Sequence, residues 1–378
     1  MTTGCCIPIV TPKRLPTIEQ DAPPMPPTAR IALYSTTFLL SIATTHAAEP
    51  QTPTVRVHSI RKVFDNGEHN AFTDLCKFQG RYYLTFRSCP DGHGVNPTAS
   101  IIVLASDDLK AWTQVHRFSV AKRDTRDPHF LIFQGKLFVY SGTWYCGETA
   151  PKTYDMNQLL GYAVWSADGK TWTDPIMLEG TYGHYVWRAA TFKGKAYICG
   201  RRKKGFAVTN SRAERNPLVE SAMLESDDGL IWRKRALFQT EYGDETAFLF
   251  ERDGAVVAVA RSGTRNAQLC LANPPYTDWQ RHDLGRYIGG PLLAKWNDRY
   301  LVGGRKVSDG KAVTSLCWLV DRKLHEFAEL PTAGDNSYPG FLELSPTQGV
   351  VSYYSSHERD SSGKTSTNIY MTDLAIGP

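Results

Sequence analysis

Three short segments of one design recur at an even interval along this chain. They begin at Ser106, Ser166 and Ser226, 60 residues apart each time, and each has an Asp two residues later and a Trp four residues beyond it. Such a period is typical of structural repeats. Apolar or β-branched residues precede each segment, which predicts a tight turn between strands in which the Ser and Asp side chains bind the turn's own backbone. A turn repeated in successive units indicates a β-propeller.

A second pattern lies between these turns and consists of a polar cluster, an apolar strand, a short turn and another strand. It occurs in the six segments 73–87, 126–140, 187–198, 244–261, 289–305 and 337–354. Six repeats of about four strands each predict an all-β fold, a six-bladed β-propeller formed by one domain over residues 49–378.

The hairpin geometry predicts which residues meet. The two strands of a hairpin are antiparallel, so the start of the first and the end of the second lie at the same end of the propeller. First strands begin at Asp74, Asp127, Arg188, Glu245 and Tyr338, and second strands end at Arg87, Arg261 and Arg305. We expect these side chains at one mouth of the central channel and the Ser-containing turns at the other end.

Three further residues are candidates for contacts with a ligand at that mouth. Trp187 offers a flat ring on which a ligand could stack, and His93 and His357 offer ring nitrogens for hydrogen bonds to a ligand.

The first 48 residues have the features of a targeting segment. Arg30 is followed by the apolar run 31–43, and small residues around Ala47 and Ala48 offer a cleavage site. The Pro-rich residues before Met25 do not resemble the start of a signal peptide, so Met25 is an alternative start. We expect a protein exported to the periplasm or the medium, without stable membrane association.

Composition argues against several other functions. The formal net charge of +5 is small for this length, and the basic run 201–204 is expected to decorate a loop, so we predict no nucleic-acid partner. No Cys/His spacing indicates a metal site, and we predict no metal and no cofactor. Cys89 and Cys146, which follow second strands of adjacent repeats, are candidates for a disulfide, whereas the other cysteines of the predicted domain resemble core residues.

The repeated turns resemble the Asp boxes, or BNR repeats, of the sialidase (neuraminidase) superfamily, each one residue shorter than the commonest form. The resemblance covers roughly residues 58–376. In the fourth hairpin, Glu245 opens a strand and Arg261 closes the next, like the sialidase segment that carries a catalytic Glu and a triad Arg. Tyr338, which follows Arg305, resembles the catalytic Tyr that follows the last triad Arg.

The resemblance implies a secreted, exo-acting glycoside hydrolase that retains configuration at an acidic, sialic-acid-like terminal sugar. Tyr338 would be the nucleophile and Glu245 its general base, because a phenol needs a nearby carboxylate to accept its proton. Arg261 and Arg305 would hold a substrate carboxylate. The partner would be a carbohydrate.

The chain departs from the family pattern in its first blade. The segment 70–74 stands where sialidases place the first triad Arg, and Arg61 and Arg188 are the arginines that could replace it. Asp91 is the candidate for the acid/base residue, which the family carries after the first hairpin.

Two other hypotheses remain open. A glycosidase could use carboxylates alone, with Asp74, Asp127 and Glu245 as acid, base and auxiliary group; the run 126–128 also resembles the Arg-Asp-Pro motif of five-bladed furanosidase-type propellers. Alternatively, the charged residues pair with one another and the propeller binds a glycan without cleaving it. A contact between the Tyr338 hydroxyl and Glu245 would favour the sialidase-like mechanism.

Overall fold

A computed structural model of the protein describes residues 52–151 and 153–377. The predicted leader and the alternative start at Met25 lie outside these residues and stay predictions. In the described part, strands dominate, and the helical segments are short: Met156–Gln158, Lys204–Phe206, the α-helix α1 (Arg212–Arg215) and Asn216–Leu218. No helix of this part is long and apolar enough to cross a membrane.

Eight strands from the two ends of this region form one sheet. They are β1 (Thr54–Phe64), β2 (His69–Phe78), β3 (Arg81–Cys89), β4 (Ser100–Ser106), β5 (Thr113–Phe118), β22 (Asn336–Ser345), β23 (Gln348–Arg359) and β24 (Thr365–Gly377). The order is β22-β23-β24-β2-β3-β4-β5, and β1 pairs with β24. The pairing of β24 with β2 is parallel and consists of one residue pair, His69 with Thr367.

The other sixteen strands form four separate four-stranded sheets. The first contains β6 (Arg123–Phe133), β7 (Lys136–Tyr145), β8 (Leu160–Ser166) and β9 (Ile176–Met177). The second contains β10 (Tyr185–Phe192), β11 (Lys195–Lys203), β12 (Val219–Ser226) and β13 (Arg233–Gln239). The third contains β14 (Thr246–Phe250), β15 (Val256–Ser262), β16 (Arg265–Ala272) and β17 (Gln280–Asp283). The fourth contains β18 (Gly289–Trp296), β19 (Arg299–Ser308), β20 (Lys311–Val320) and β21 (Lys323–Leu330).

The prediction of an all-β propeller is confirmed. The prediction of six separate blades is wrong, because the described chain has four separate four-stranded blades, and the remaining eight strands are joined in one sheet. The strands that open the predicted hairpins, namely β2, β6, β10, β14, β18 and β22, contact one another in a closed ring. Their starts therefore surround a common channel.

Burial follows strand position within a blade. Every residue of β4 is buried, as expected for a Val/Ile/Leu-rich strand with a packed layer on each side. The outer strand β9 is exposed.

Five of the six inner strands carry a β-bulge near their start. The register shifts lie between Ala71 and Asp74, Arg126 and His129, Val186 and Ala189, Gly289 and Leu292, and Ser337 and Gly340. At these bulges Phe72, Asp127 and Tyr338 have φ values of 65°, 50° and 49°. Non-glycine residues seldom adopt this conformation, and bulges redirect side chains beside functional sites. The bulges thus set the direction of the side chains around the channel.

The repeated turns have the predicted hydrogen bonds. The Asp168 carboxylate accepts from the backbone N–H groups of Lys170 and Thr171 at 2.8 and 2.7 Å, and Asp108 and Asp228 accept equivalent bonds. These turns join the third and fourth strands of their blades and contribute no residue to the cavity described below.

The six cysteines in the described part are free, so the hypothesis of a Cys89–Cys146 disulfide is wrong. The Cys89 thiol contacts the Thr98 hydroxyl at 3.6 Å, and the Cys146 thiol contacts the backbone oxygen of Lys122 at 3.5 Å. Both side chains are buried in separate environments.

Candidate active site

A cavity of about 280 Å³ opens at the end of the channel where the inner strands begin. Five arginines and three carboxylates supply its charged side chains: Arg126, Arg201, Arg212, Arg215, Arg261, Asp127, Asp244 and Glu245. Its aromatic wall consists of Phe72, Trp144, Tyr154, Tyr185, Tyr242 and Tyr338. The excess of arginine over carboxylate suits an anionic ligand.

Tyr338 and Glu245 meet at the base of this cavity. The Tyr338 hydroxyl donates to Glu245 Oε1 at 2.7 Å, although the two residues are 93 positions apart in the sequence. Glu245 Oε2 accepts from Arg261 Nη1 at 3.0 Å and from the backbone N–H of Gly290 at 3.1 Å. The geometry joins a phenol, a carboxylate and a guanidinium in one hydrogen-bonded group.

The charges within this group oppose one another. Burial alone would raise the pKa of Glu245, but the charges of Arg261 and Arg201 outweigh it and lower that pKa. Burial, and then the negative charge of Glu245, raise the pKa of Tyr338 well above its ordinary value of 10. Glu245 is therefore ionised and Tyr338 is a neutral hydrogen-bond donor.

Arg261 has hydrogen-bonding capacity left for a ligand. Its Nε donates to the backbone oxygen of Gly263 at 3.2 Å and lies 3.3 Å from Asp244. Its Nη1 binds Glu245 and lies 3.5 Å from the Tyr338 hydroxyl. Its Nη2 has no hydrogen bond with any residue of the described ranges, so this nitrogen can receive a substrate anion.

Asp127 is a second carboxylate of the cavity that could transfer a proton. Its Oδ2 accepts from the Tyr185 hydroxyl at 2.5 Å, whereas Oδ1 is buried and has no hydrogen-bond partner in the described part of the chain. Burial, and then the negative charge of Glu245, raise the pKa of Asp127 to about 6. This aspartate can hold a proton in mildly acidic solution.

Arg305 lies behind Tyr338, with its guanidinium 5.7 Å from the centre of the phenol ring. It donates to Asp335 Oδ1 at 3.0 Å and to the Tyr354 hydroxyl at 2.9 Å. It is not among the residues that line the cavity. Its observed contacts orient neighbouring side chains.

Asp335 also belongs to the group of described residues that could hold a metal ion. Its Oδ2 lies 3.0 Å from His69 Nε2 and 2.7 Å from His93 Nδ1, and the three potential ligand atoms lie within 4.8 Å of one another. The nearby positive charge of Arg305 would repel a metal cation, and the Asp335 carboxylate already has both histidines as hydrogen-bonding partners. We therefore assign no metal. His93 does line the cavity, as the sequence predicted.

Asp74 and Arg188 lie near the channel but do not line the cavity. Arg188 donates to Asp74 Oδ1 at 3.1 Å and to the backbone oxygens of Pro291 and Pro339 at 3.1 and 2.6 Å. Asp74 Oδ2 accepts from the backbone N–H of Phe130 at 2.9 Å. The contacts of this pair link the eight-stranded sheet to three of the four-stranded blades, and neither side chain lines the cavity.

Arg87 is also placed away from the ligand. Its side chain and that of Asp124 are both 0% exposed, and they form an ion pair at 3.0 Å. Two further bonds to the backbone oxygens of Gly92 and Gly94 fix the loop after β3. Arg61 forms an ion pair with Asp373 at 2.8 Å, and neither arginine lines the cavity.

Three more predicted site residues lie outside the cavity wall. Asp91 accepts from the Thr98 hydroxyl at 2.6 Å on an exposed loop. Trp187 is 1% exposed and meets the Tyr338 ring edge-on at 6.3 Å, so it supports the nucleophile candidate and offers no free face to a sugar. His357 packs on Tyr370, with ring centres 4.6 Å apart.

Sequence reasoning missed Arg201. The run 201–204 was expected to decorate a loop, but Arg201 lies in β11, lines the cavity and forms an ion pair with Asp244. It ends the second strand of its hairpin, the position that identified Arg87, Arg261 and Arg305. Tyr185, Arg212 and Arg215 were missed because their positions follow no repeated pattern.

Comparison with known proteins supports the fold and leaves the family open. No protein-family model matches the chain, and no curated protein matches it. A solved protein of unknown function from Dyadobacter fermentans is similar over 86% of this chain and 100% of its own, with a TM-score of 0.70 and 19% identity. The phage phi92 endosialidase is similar over 85% of this chain and 69% of its own, with a TM-score of 0.63 and 9% identity.

The Trypanosoma rangeli sialidase, solved with the inhibitor DANA, has a TM-score of 0.59 and 11% identity over 81% of this chain. The match spans 55% of that sialidase's own length. Identities this low show a shared propeller fold and carry no assignment of activity.

Proposed function

We propose that the protein is a retaining glycoside hydrolase of the sialidase type that acts on a terminal acidic sugar. The observation that carries the proposal is the hydrogen bond of 2.7 Å from the Tyr338 hydroxyl to Glu245, with Arg261 beside both. A carboxylate at this distance can accept the phenol proton as the oxygen attacks.

The proposed architecture is a six-bladed propeller in which the eight-stranded sheet is two blades joined at one edge. Its two halves meet through the one parallel pair between β24 and β2, while pairing within each half is antiparallel and extensive. The closed ring of six inner strands supports this count.

In the proposed reaction, the Tyr338 oxygen bonds to the anomeric carbon while the bond to the leaving oxygen breaks. The Tyr338 proton moves to Glu245, and Asp127 gives its proton to the leaving oxygen. In the second step, Asp127 takes a proton from water, the water oxygen bonds to the anomeric carbon, and Tyr338 departs and regains its proton from Glu245. Two displacements retain the configuration. Asp127 thus takes the role that the sequence hypothesis gave to Asp91.

An acidic substrate would also activate the pair. Arg261 lowers the pKa of Glu245 in the empty site. A substrate anion on Arg261 Nη2 would offset that positive charge, so the proton affinity of Glu245 would rise when the substrate binds. The general base would then become effective only in the complex.

A screen of aryl glycosides, including sialosides and uronides, tests the proposal with wild type, Tyr338→Phe and Glu245→Gln. Tyr353→Phe is the matched control, because Tyr353 is buried in β23 and its hydroxyl has no hydrogen bond among the described residues. We expect activity in wild type and the control and its loss in both site variants. Activity that survived both substitutions would refute this mechanism. Binding of acidic sugars without turnover would favour a glycan-binding propeller.

A further inference from the structure

One wall of the cavity carries a group of arginines that the proposed reaction does not use. Arg201 comes from the end of β11, and Arg212 and Arg215 come from α1, in the connection between β11 and β12. Arg201 is paired with Asp244. The Arg212 guanidinium has no hydrogen bond or ion pair within the described part of the chain, and the one side-chain acceptor of Arg215 there is the Asn216 amide oxygen at 3.2 Å.

The positive charges of Arg212 and Arg215 are not balanced by an ion pair among the described residues, whereas Arg201 is paired with Asp244. Burial, and then the charges of Arg201 and Arg212, lower the pKa of Arg215, so the guanidinium groups of Arg201 and Arg212 are close enough to repel that of Arg215. The Nε atoms of Arg201 and Arg215 are buried without a hydrogen-bond partner in the described residues. Buried donors without acceptors are unfavourable, and an incoming anion would satisfy them.

Two other carboxylates are engaged elsewhere, namely Glu214 in the same connection and Asp155 in the connection between β7 and β8. Glu214 accepts from the backbone N–H of Asn210 at 3.0 Å and from the Ser211 hydroxyl at 3.2 Å, as the cap of α1. Asp155 binds Lys203 at 3.0 Å. Neither carboxylate neutralises Arg212 or Arg215, so these arginines keep their charge for a ligand.

The position of the two arginines indicates what that ligand is. A second cavity of about 680 Å³ adjoins the first, and the two share Tyr154, Met156, Arg212 and Arg215. Tyr154 is 45% exposed and packs edge-on against Trp144 at 4.8 Å, which leaves ring surface for a sugar. A chain of sugars that enters the site beside Tyr338 and continues into the second cavity must pass this junction.

We infer that Arg212 and Arg215, with Arg201, bind an acidic group on the sugar unit next to the one that is cleaved. The substrate is then an oligosaccharide that carries a second anionic group, a carboxylate or a sulfate ester, beyond its terminal residue. This inference rests on the proposed function for the direction of the chain. The arginine geometry that carries it does not depend on the cleavage step.

Binding measurements separate the inference from the reaction. The probes are three tetrasaccharides of matched length, one with uronate carboxylates, one with sulfate esters and one neutral, titrated calorimetrically into the Tyr338→Phe protein so that cleavage cannot interfere. We expect acidic tetrasaccharides to bind more tightly than the neutral one, with an affinity that falls as salt is raised. The stronger acidic arm identifies the anion.

The same titrations are repeated with Arg212→Gln and with Arg212→Gln/Arg215→Gln in the Tyr338→Phe background. We expect acidic tetrasaccharides to lose about tenfold in affinity for each arginine removed, the size of a charge-assisted hydrogen bond. Arg322→Gln is the control, because Arg322 is exposed in the turn between β20 and β21. Thermal unfolding shows whether each variant is folded. Because Arg212 is exposed, the single variant Arg212→Gln still tests the inference if the double variant unfolds.

Equal affinity for the three probes, or affinity that is unchanged without Arg212 and Arg215, would overturn the inference. If the binding test failed in this way but the wild-type protein hydrolysed aryl glycosides, the proposed function would still hold. Arginine-dependent binding in a protein without hydrolase activity would support the anion subsite and refute the proposed reaction.

Discussion

Glu245 directly precedes the inner strand β14 and Asp74 lies within the inner strand β2; both are buried, and both bind an arginine. They differ in how much hydrogen-bonding capacity their arginines keep for a ligand. Every nitrogen of Arg188 donates to Asp74, Pro291 or Pro339, whereas Arg261 keeps one nitrogen free among the described residues. Only Glu245 also accepts from a cavity tyrosine. A buried charge pair thus indicates a reactive site when its hydrogen bonding is incomplete on the side of the cavity.

The largest expected difference between the two pairs is in activity. Glu245→Gln removes the proposed base, and we expect kcat/KM to fall by about 10²- to 10⁴-fold, the usual contribution of general-base catalysis. Glu251→Gln is the matched control, since Glu251 pairs with Lys295 and Tyr300 outside the cavity. Steady-state kinetics on the best substrate of the screen measure both. Similar losses of kcat/KM in Glu245→Gln and Glu251→Gln would contradict a catalytic role for Glu245.

The Asp74–Arg188 pair is expected to matter for stability instead. Asp74→Asn leaves the buried guanidinium of Arg188 without its counter-charge, and we expect the free energy of unfolding to fall by about 3 kcal/mol. Asp373→Asn, which breaks the more exposed pair with Arg61, should cost less than about 1 kcal/mol. Denaturant unfolding compares the two. A loss in Asp74→Asn no greater than in Asp373→Asn would contradict the role of this pair in joining blades.

The smallest expected effect concerns the pH dependence of Asp127. Its pKa is raised to about 6 in the fold, above the ordinary value of 3.8, so its contribution to stability is fully present below about pH 4 and is lost as the pH rises through about 6. Asp127→Asn should therefore raise the melting temperature at pH 7 by roughly 2 to 4 °C and leave it nearly unchanged at pH 4. Melting curves at the two pH values test this.

Asp127 is also expected to determine how the activity depends on pH. If Asp127 is the acid, kcat/KM of wild type declines as the pH rises through about 6. For a substrate whose leaving oxygen needs protonation, the decline should be present in wild type and absent from Asp127→Asn. An unchanged alkaline decline in that variant would assign the titration to another group.

Repeats made the fold predictable from the sequence. The even spacing of Ser106, Ser166 and Ser226 and the six hairpin segments indicated a propeller and the end at which its site lies. The eight-stranded sheet is continuous through one residue pair between β24 and β2, which no local pattern encodes. The count of separate blades was therefore wrong.

The candidate site was predictable where a residue follows the repeat. The pairing of Tyr338 with Glu245 was expected, and the structure has that contact. Whether a side chain enters the cavity was not predictable, because bulges decide it: Asp127 turns into the cavity at a bulge with positive φ, whereas Asp74 ends a bulge and turns to Arg188. Arg212 and Arg215 lie in an irregular connection, so periodicity could not place them in the cavity wall.

The pairing of β1 with β24 has a consequence for how the molecule is made. Thr54 pairs with Gly377, so the ring of strands cannot close until nearly the whole domain has been synthesised. A chain that stops before Thr365 would expose the edges of β1 and β23, which invite strand pairing with other chains. A shortened product is therefore an open, aggregation-prone ring, and quality control can recognise it as unfinished.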